Sequence, residues 1–67
     1  MNLKRAYHEG VFKGYHLNFK GHKGHLALGR GGEYTLFIHG DFVCVANSFK
    51  EIKSKAREEF IKRYGEK

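Results

Sequence analysis

At Asn47 and Ser48 the chain changes its period, and no other feature constrains the fold as much. Before this point, eight of the nine glycines (Gly10, Gly14, Gly21, Gly24, Gly29, Gly31, Gly32 and Gly40) divide residues that alternate between polar and apolar. After it, apolar residues recur at helical spacing, and the ninth glycine, Gly65, stands where a helix would stop. Glycines at intervals of about ten residues punctuate strands rather than linkers. Length then limits what can be built: 67 residues leave room for one core, which hides only about 60% of the surface that the unfolded chain exposes. A single domain over 1–67 is expected, with sheet from about 11 to 47 and helix from about 49 to 64.

The helix is the plainest element. Phe49, Ile52, Ala56, Phe60 and Tyr64 fall within one arc of about 120° when residues are placed 100° apart. Ser48 is a helix-capping residue, and Glu51 stands three positions on, where a capping box requires it. Gly65 supplies a left-handed stop. Glu51 with Lys55, Glu58 with Lys62 and Glu59 with Arg63 have the favourable i,i+4 order, worth about 0.2 to 0.5 kcal/mol each.

Upstream, Val11, Tyr15, Leu17 and Phe19 alternate with Phe12, Gly14, His16, Asn18 and Lys20, which is strand spacing with one wet face. Tyr34 to His39 and Phe42 to Ala46 flank Gly40-Asp41 and predict a hairpin. A two-residue loop at Gly40-Asp41 groups Leu36 and Ile38 with Val43 and Val45, and Phe37 with Cys44 and Ala46; a longer loop changes these partners, so the register stays open. His25 to Leu28 is either a short strand or part of a bulged one, and residues 1–9 fit a helical turn or a hairpin closed by Glu9-Gly10. The expected architecture is α+β: an antiparallel meander of three or four strands with the helix across one face, the other face left uncovered.

The net charge of +6 is spread along the chain. Residues 1–48 and residues 49–64 each carry six basic and three acidic side chains. Residues 11–32 contain no acid at all, and there Lys13, Lys20, Lys23 and Arg30 are interleaved with Phe12, His16, Asn18, His22 and His25. Cations for phosphates, rings for bases or sugars and an amide for base edges are what a nucleic-acid surface needs. These nine residues are the candidate interface with DNA or RNA. The segments Gly21 to His25 and Gly29 to Gly32 place free backbone amides beside cations, which suits a phosphate, though neither has P-loop or dinucleotide spacing.

Other chemistry has thinner support. His22 and His25 have zinc-like spacing, but Cys44 and His39 would have to reach them through the fold to complete a ligand set. A ribonuclease pair of His16 and His39 near Lys20 depends on geometry that spacing cannot supply. The expectation is a protein that is not an enzyme and needs no metal or cofactor. Lone Cys44 reads as a small buried hydrophobe and gives no disulfide. The longest apolar run, Phe42 to Ala46, is five residues, too short for a signal peptide or a membrane span, so a cytoplasmic protein without membrane contact is expected.

A meander followed by one helix resembles, in topology, the amino-terminal arm-binding domains of some phage integrases and the sheet and second helix of double-stranded-RNA-binding domains. The helix start Ser48-Phe49-Lys50-Glu51-Ile52-Lys53 carries lysines as the RNA-binding helix does, but Glu51 interrupts them and a first helix is missing. No functional residue is carried over. The alternative function is a compact protein-interaction unit, either a homodimer or an inhibitor or adaptor of phage or mobile-element type. It would use Phe37 or Phe42 on the uncovered face.

Overall fold

The computed structural model describes residues 1–65. Five strands, β1 (Asn2–His8), β2 (Val11–Phe19), β3 (His22–Leu28), β4 (Tyr34–Ile38) and β5 (Asp41–Ala46), precede one helix, α1 (Phe49–Tyr64). The strands form a single antiparallel sheet in chain order. The fold is α+β, with five strands where three or four were expected. The added strand is β1, from the segment that fitted either a helical turn or a hairpin, and the sheet therefore starts at Asn2 rather than near residue 11. The third strand is also longer than His25 to Leu28, since it begins at His22.

Three of the four strand connections are two-residue turns ending in glycine: Glu9-Gly10, Lys20-Gly21 and His39-Gly40. Their first residues have φ of 52°, 53° and 53°, and their glycines 79°, 86° and 85°. Positive φ at both central positions is the type I′ pattern, whose twist matches that of the paired strands. The last turn thus lies one residue before the expected Gly40-Asp41, and Asp41 opens β5.

That shift, with a bulge next to it, settles the register. Leu36 pairs with Cys44 and Phe37 with Phe42, which leaves Val43 as the extra residue. Cys44 and Ala46 therefore join Leu36 and Ile38 on the helix side, while Phe42 and Val45 share the uncovered side with Phe37. The two-residue reading, which grouped Phe37 with Cys44, is corrected by this bulge. Burial pushes the Cys44 thiol pKa up, which keeps it protonated and unreactive.

A second bulge falls in β2, where Ala6 pairs with Gly14 but Tyr7 with Phe12. Gly14 is buried, with φ of 129°. A β-carbon there would collide with the carbonyl oxygen of Leu26 on β3. Only glycine permits β2 to bend this closely over its neighbour.

Leu17, Phe19, Leu26, Leu36, Ile38 and Ala46 of the sheet form one cluster with Ile52, Ala56 and Phe60 of α1. Phe60, Leu26, Leu36, Ile38 and Ile52 are fully buried, each contributing about 1.5 to 3 kcal/mol from removal of apolar surface from water. Gly24 makes room for Phe60, whose Cζ would lie 2.9 Å from a β-carbon at that position. The Phe60 ring then stacks on Phe19 at 5.3 Å. At the other end of α1, Phe49 packs on Tyr15 and Tyr34, with ring centroids 4.6 and 5.8 Å apart.

The helix ends follow their signals. Ser48 accepts a hydrogen bond from the backbone N–H of Glu51 at 3.2 Å, and such a cap is worth about 1 kcal/mol. Gly65 donates its N–H to the carbonyl of Ile61 at 2.7 Å. Glu51 with Lys55 and Glu59 with Arg63 form exposed ion pairs at 3.4 and 3.2 Å.

Candidate nucleic-acid interface

With α1 covering one face, strand pairing alone defines what the other face presents. Lys4 pairs with His16, His16 with His25, His25 with Phe37, and Phe37 with Phe42. These five side chains make one row across all five strands, roughly 19 Å long at 4.7 to 4.9 Å per strand. To one side lie Asn2, Asn18 and Lys23; to the other lie Ala6, Gly14, Ala27, Thr35 and Val45. No carboxylate stands in any of the three rows. The face is polar and basic over β1 to β3 and apolar over β4 and β5.

His16 and His25 have ring centroids 5.1 Å apart. Partial burial and the neighbouring His16 lower the pKa of His25 below 6.5, so its ring is neutral at pH 7 and charges only on acidification. Beside this pair, Asn2, Lys4, His16, Asn18 and Lys23 line a shallow depression of about 420 Å³. Asn18 also accepts from the Gly21 N–H at 3.2 Å through Oδ1, which fixes its amide and points part of it at its own turn. At the apolar end Phe42 is 64% exposed and Val45 48%, and the Phe42 ring meets Phe37 edge-on at 6.3 Å.

Of the nine residues proposed from the sequence, four come together here: His16, Asn18, Lys23 and His25. Phe12 does not, because the β2 bulge puts it in register with Tyr7 and its ring packs on Tyr15 at 5.1 Å. Tyr15 is itself held under Phe49 of α1, so Phe12 belongs to the helix side. His22 lies there too, stacked on Tyr64 at 3.5 Å. Lys20 donates to the Gly65 carbonyl at 3.2 Å and covers the Phe19 ring, an attachment of the helix end rather than a free cation. Lys13 is exposed on the bulge, and Arg30 is exposed in the β3–β4 loop, beyond the far end of β3 from Lys23.

The loop at Gly29 to Gly32 is not an open phosphate cradle. Side chains at Gly29 or Gly31 would run into the carboxylate of Glu33, so the loop is folded around an acid of its own. His16 does not face His39, as a ribonuclease pair would require, but His25. Among the described residues no group of three or more His, Cys, Asp or Glu side chains is gathered to hold a metal. Among the described residues no helix is long and apolar enough to cross a membrane.

Asn2 and Lys4 were not among the residues expected at the site, and Phe37 or Phe42 was expected on this face only as a contact for a protein partner. The first two depend on β1, whose signal was the same X-Gly turn that closes the other hairpins. The aromatic pair depends on the β5 bulge, which periodicity does not reveal. No known protein family, curated protein or solved structure matches the chain.

Proposed function

We propose that this protein is a small basic nucleic-acid-binding module that lays its uncovered sheet face along an extended strand. The observation that carries this reading is the row of Lys4, His16, His25, Phe37 and Phe42, in which a cation, hydrogen-bonding rings and aromatic rings follow one another without an acid. Lys4 and Lys23 neutralise phosphates, His16, His25 and Asn18 reach sugars and base edges, and Phe37 and Phe42 stack on bases. Lys13 and Arg30 add positive field at the margins. Unpaired bases suit exposed rings on a flat sheet better than a closed duplex does, so a single strand is the favoured ligand.

The test is fluorescence polarisation with labelled single- and double-stranded DNA and RNA. Affinity for a single strand is expected to fall about 7- to 50-fold between roughly 50 and 200 mM salt, for two to four neutralised phosphates. Lys4→Ala with Lys23→Ala lowers the salt slope by about 1.4 for single strands. Lys53→Ala with Arg57→Ala, on the outer face of α1, leaves it unchanged. No binding at low salt, or loss confined to the α1 variant, would refute the assignment.

The same titration has a pH arm. Because the pKa of free His25 is lowered, folding favours its neutral ring, and that stabilisation is present above pH 6.5 and is lost as pH falls through the folded value. The negative field of a bound strand favours the charged ring instead. Affinity is therefore expected to rise as pH drops below 6.5, and His25→Gln flattens the rise. A pH-independent affinity in the parent protein would remove His25 from the interface.

The exposure of Phe42 and Val45 on an edge strand favours a second reading, a protein partner or second copy seated on β5. Light scattering separates the two, since a second copy makes the mass rise with concentration.

A further inference from the structure

We propose that His22 and His39 form a two-imidazole site for a late first-row divalent metal ion such as zinc, beneath the last turn of α1. The site lies on the helix side of the sheet and is independent of the nucleic-acid reading. Nδ1 of His22 and Nε2 of His39 are 3.3 Å apart. Two imidazole nitrogens bound tetrahedrally to one zinc ion at 2.0 to 2.1 Å are also about 3.3 Å apart. Without metal, one ring must carry the proton that the other accepts. When the ion binds, that proton moves to the other nitrogen of the same ring, and both facing nitrogens offer lone pairs to the metal.

The two ligands are held differently. His22 is half-buried, and its ring stacks on Tyr64 with centroids 3.5 Å apart and planes 7° from parallel. His39 is exposed on the β4–β5 turn, where its backbone N–H donates to the Lys23 carbonyl at 3.0 Å. Its ring meets Tyr64 edge-on at 6.2 Å. One imidazole is thus fixed and the other is free to rotate its lone pair toward the ion. Spacing along the chain pointed to His22 with His25, but His25 faces the opposite side of the sheet. The pairing of β3 with β4 brings His39 to His22 instead.

With two protein ligands, the remaining coordination positions belong to water, one protein ligand fewer than a catalytic zinc site has. Imidazole nitrogens without a carboxylate select zinc, copper or nickel over magnesium or calcium, which require oxygen.

Isothermal titration of the whole chain with zinc chloride tests the site. One equivalent is expected to bind, and magnesium at the same concentration gives no heat. His22→Gln and His39→Asn are each expected to weaken zinc binding about tenfold or more, since even the loss of an outer-shell partner costs 10- to 100-fold. Asparagine is chosen because it tolerates the left-handed backbone of the turn. His25→Gln leaves binding unchanged. Equal affinity in His39→Asn and the parent chain, or loss of binding in His25→Gln, overturns the proposal. If His22→Gln does not fold, as judged by circular dichroism, the exposed His39 variant decides alone.

Discussion

Gly14→Ala is expected to remove about 3 to 5 kcal/mol of stability, a large share of what a domain of this size has. The substitution combines two costs at a buried point of the sheet. A φ of 129° is strained for any residue with a β-carbon, by about 1 to 3 kcal/mol. The new carbon also meets the backbone carbonyl of Leu26, which cannot yield without opening the ladder between β2 and β3. Together these place the loss at about 3 to 5 kcal/mol, the upper end for single substitutions. A domain of 67 residues has only about 3 to 10 kcal/mol to lose. Gly10→Ala is the matched control, because Gly10 also has positive φ, 79°, but no atom within 4 Å of the added carbon. Its cost is about 1 kcal/mol, a fall of about 4 to 8 °C in Tm for a domain of this size. Thermal melts followed by circular dichroism compare the two. Similar melting temperatures for Gly14→Ala and Gly10→Ala would show that the close approach of β2 to β3 is not what the glycine serves.

The second large effect concerns binding rather than folding. Phe37→Ala with Phe42→Ala is expected to reduce affinity for single-stranded nucleic acid by about 5-fold or more if one stacking contact is lost and about 30-fold or more if both are, at about 1 to 3 kcal/mol each. The slope of affinity against salt stays where it was, since no phosphate contact is removed. This is the opposite signature to that of the Lys4 and Lys23 variants, and the two together separate stacking from charge. Neither ring belongs to the core cluster, so the double variant keeps its fold, which its melting curve verifies. Unchanged affinity would assign the aromatic end of the face to a protein partner.

How far the chain could be read in advance depended on the range of the signal. The limits of α1 were legible because the period, the Ser48 cap and the Gly65 stop all lie within the helix or next to it. The hairpins were legible where a glycine turn separated clear alternation. The faces were harder to read, because each bulge adds a residue and reverses every side chain beyond it. One bulge moved Phe12 from the wet side to the company of Tyr15, and the other put Phe42 opposite Phe37. Lys20 and His22 look like free polar residues of a basic stretch, but the end of α1, more than forty residues later, engages both. His16 and Asn18 lie beyond the β2 bulge, where ordinary alternation puts them on the uncovered face, while Lys23 and His25 reach it through β3, which begins earlier than expected.

The unbroken chain order of the sheet bears on how the molecule comes together. Each of the three tight turns brings adjacent strands into contact over two residues, so closing them costs little loop entropy. The sheet can assemble by successive local zippering, the regime in which small domains fold quickly. Docking of α1 is different in kind. Lys20 and Gly65 are separated by 45 positions, and Phe60 finds its place over Gly24 only once β2, β3 and β4 have built the floor beneath it. The last element of the chain is therefore also the one whose docking must wait for the rest.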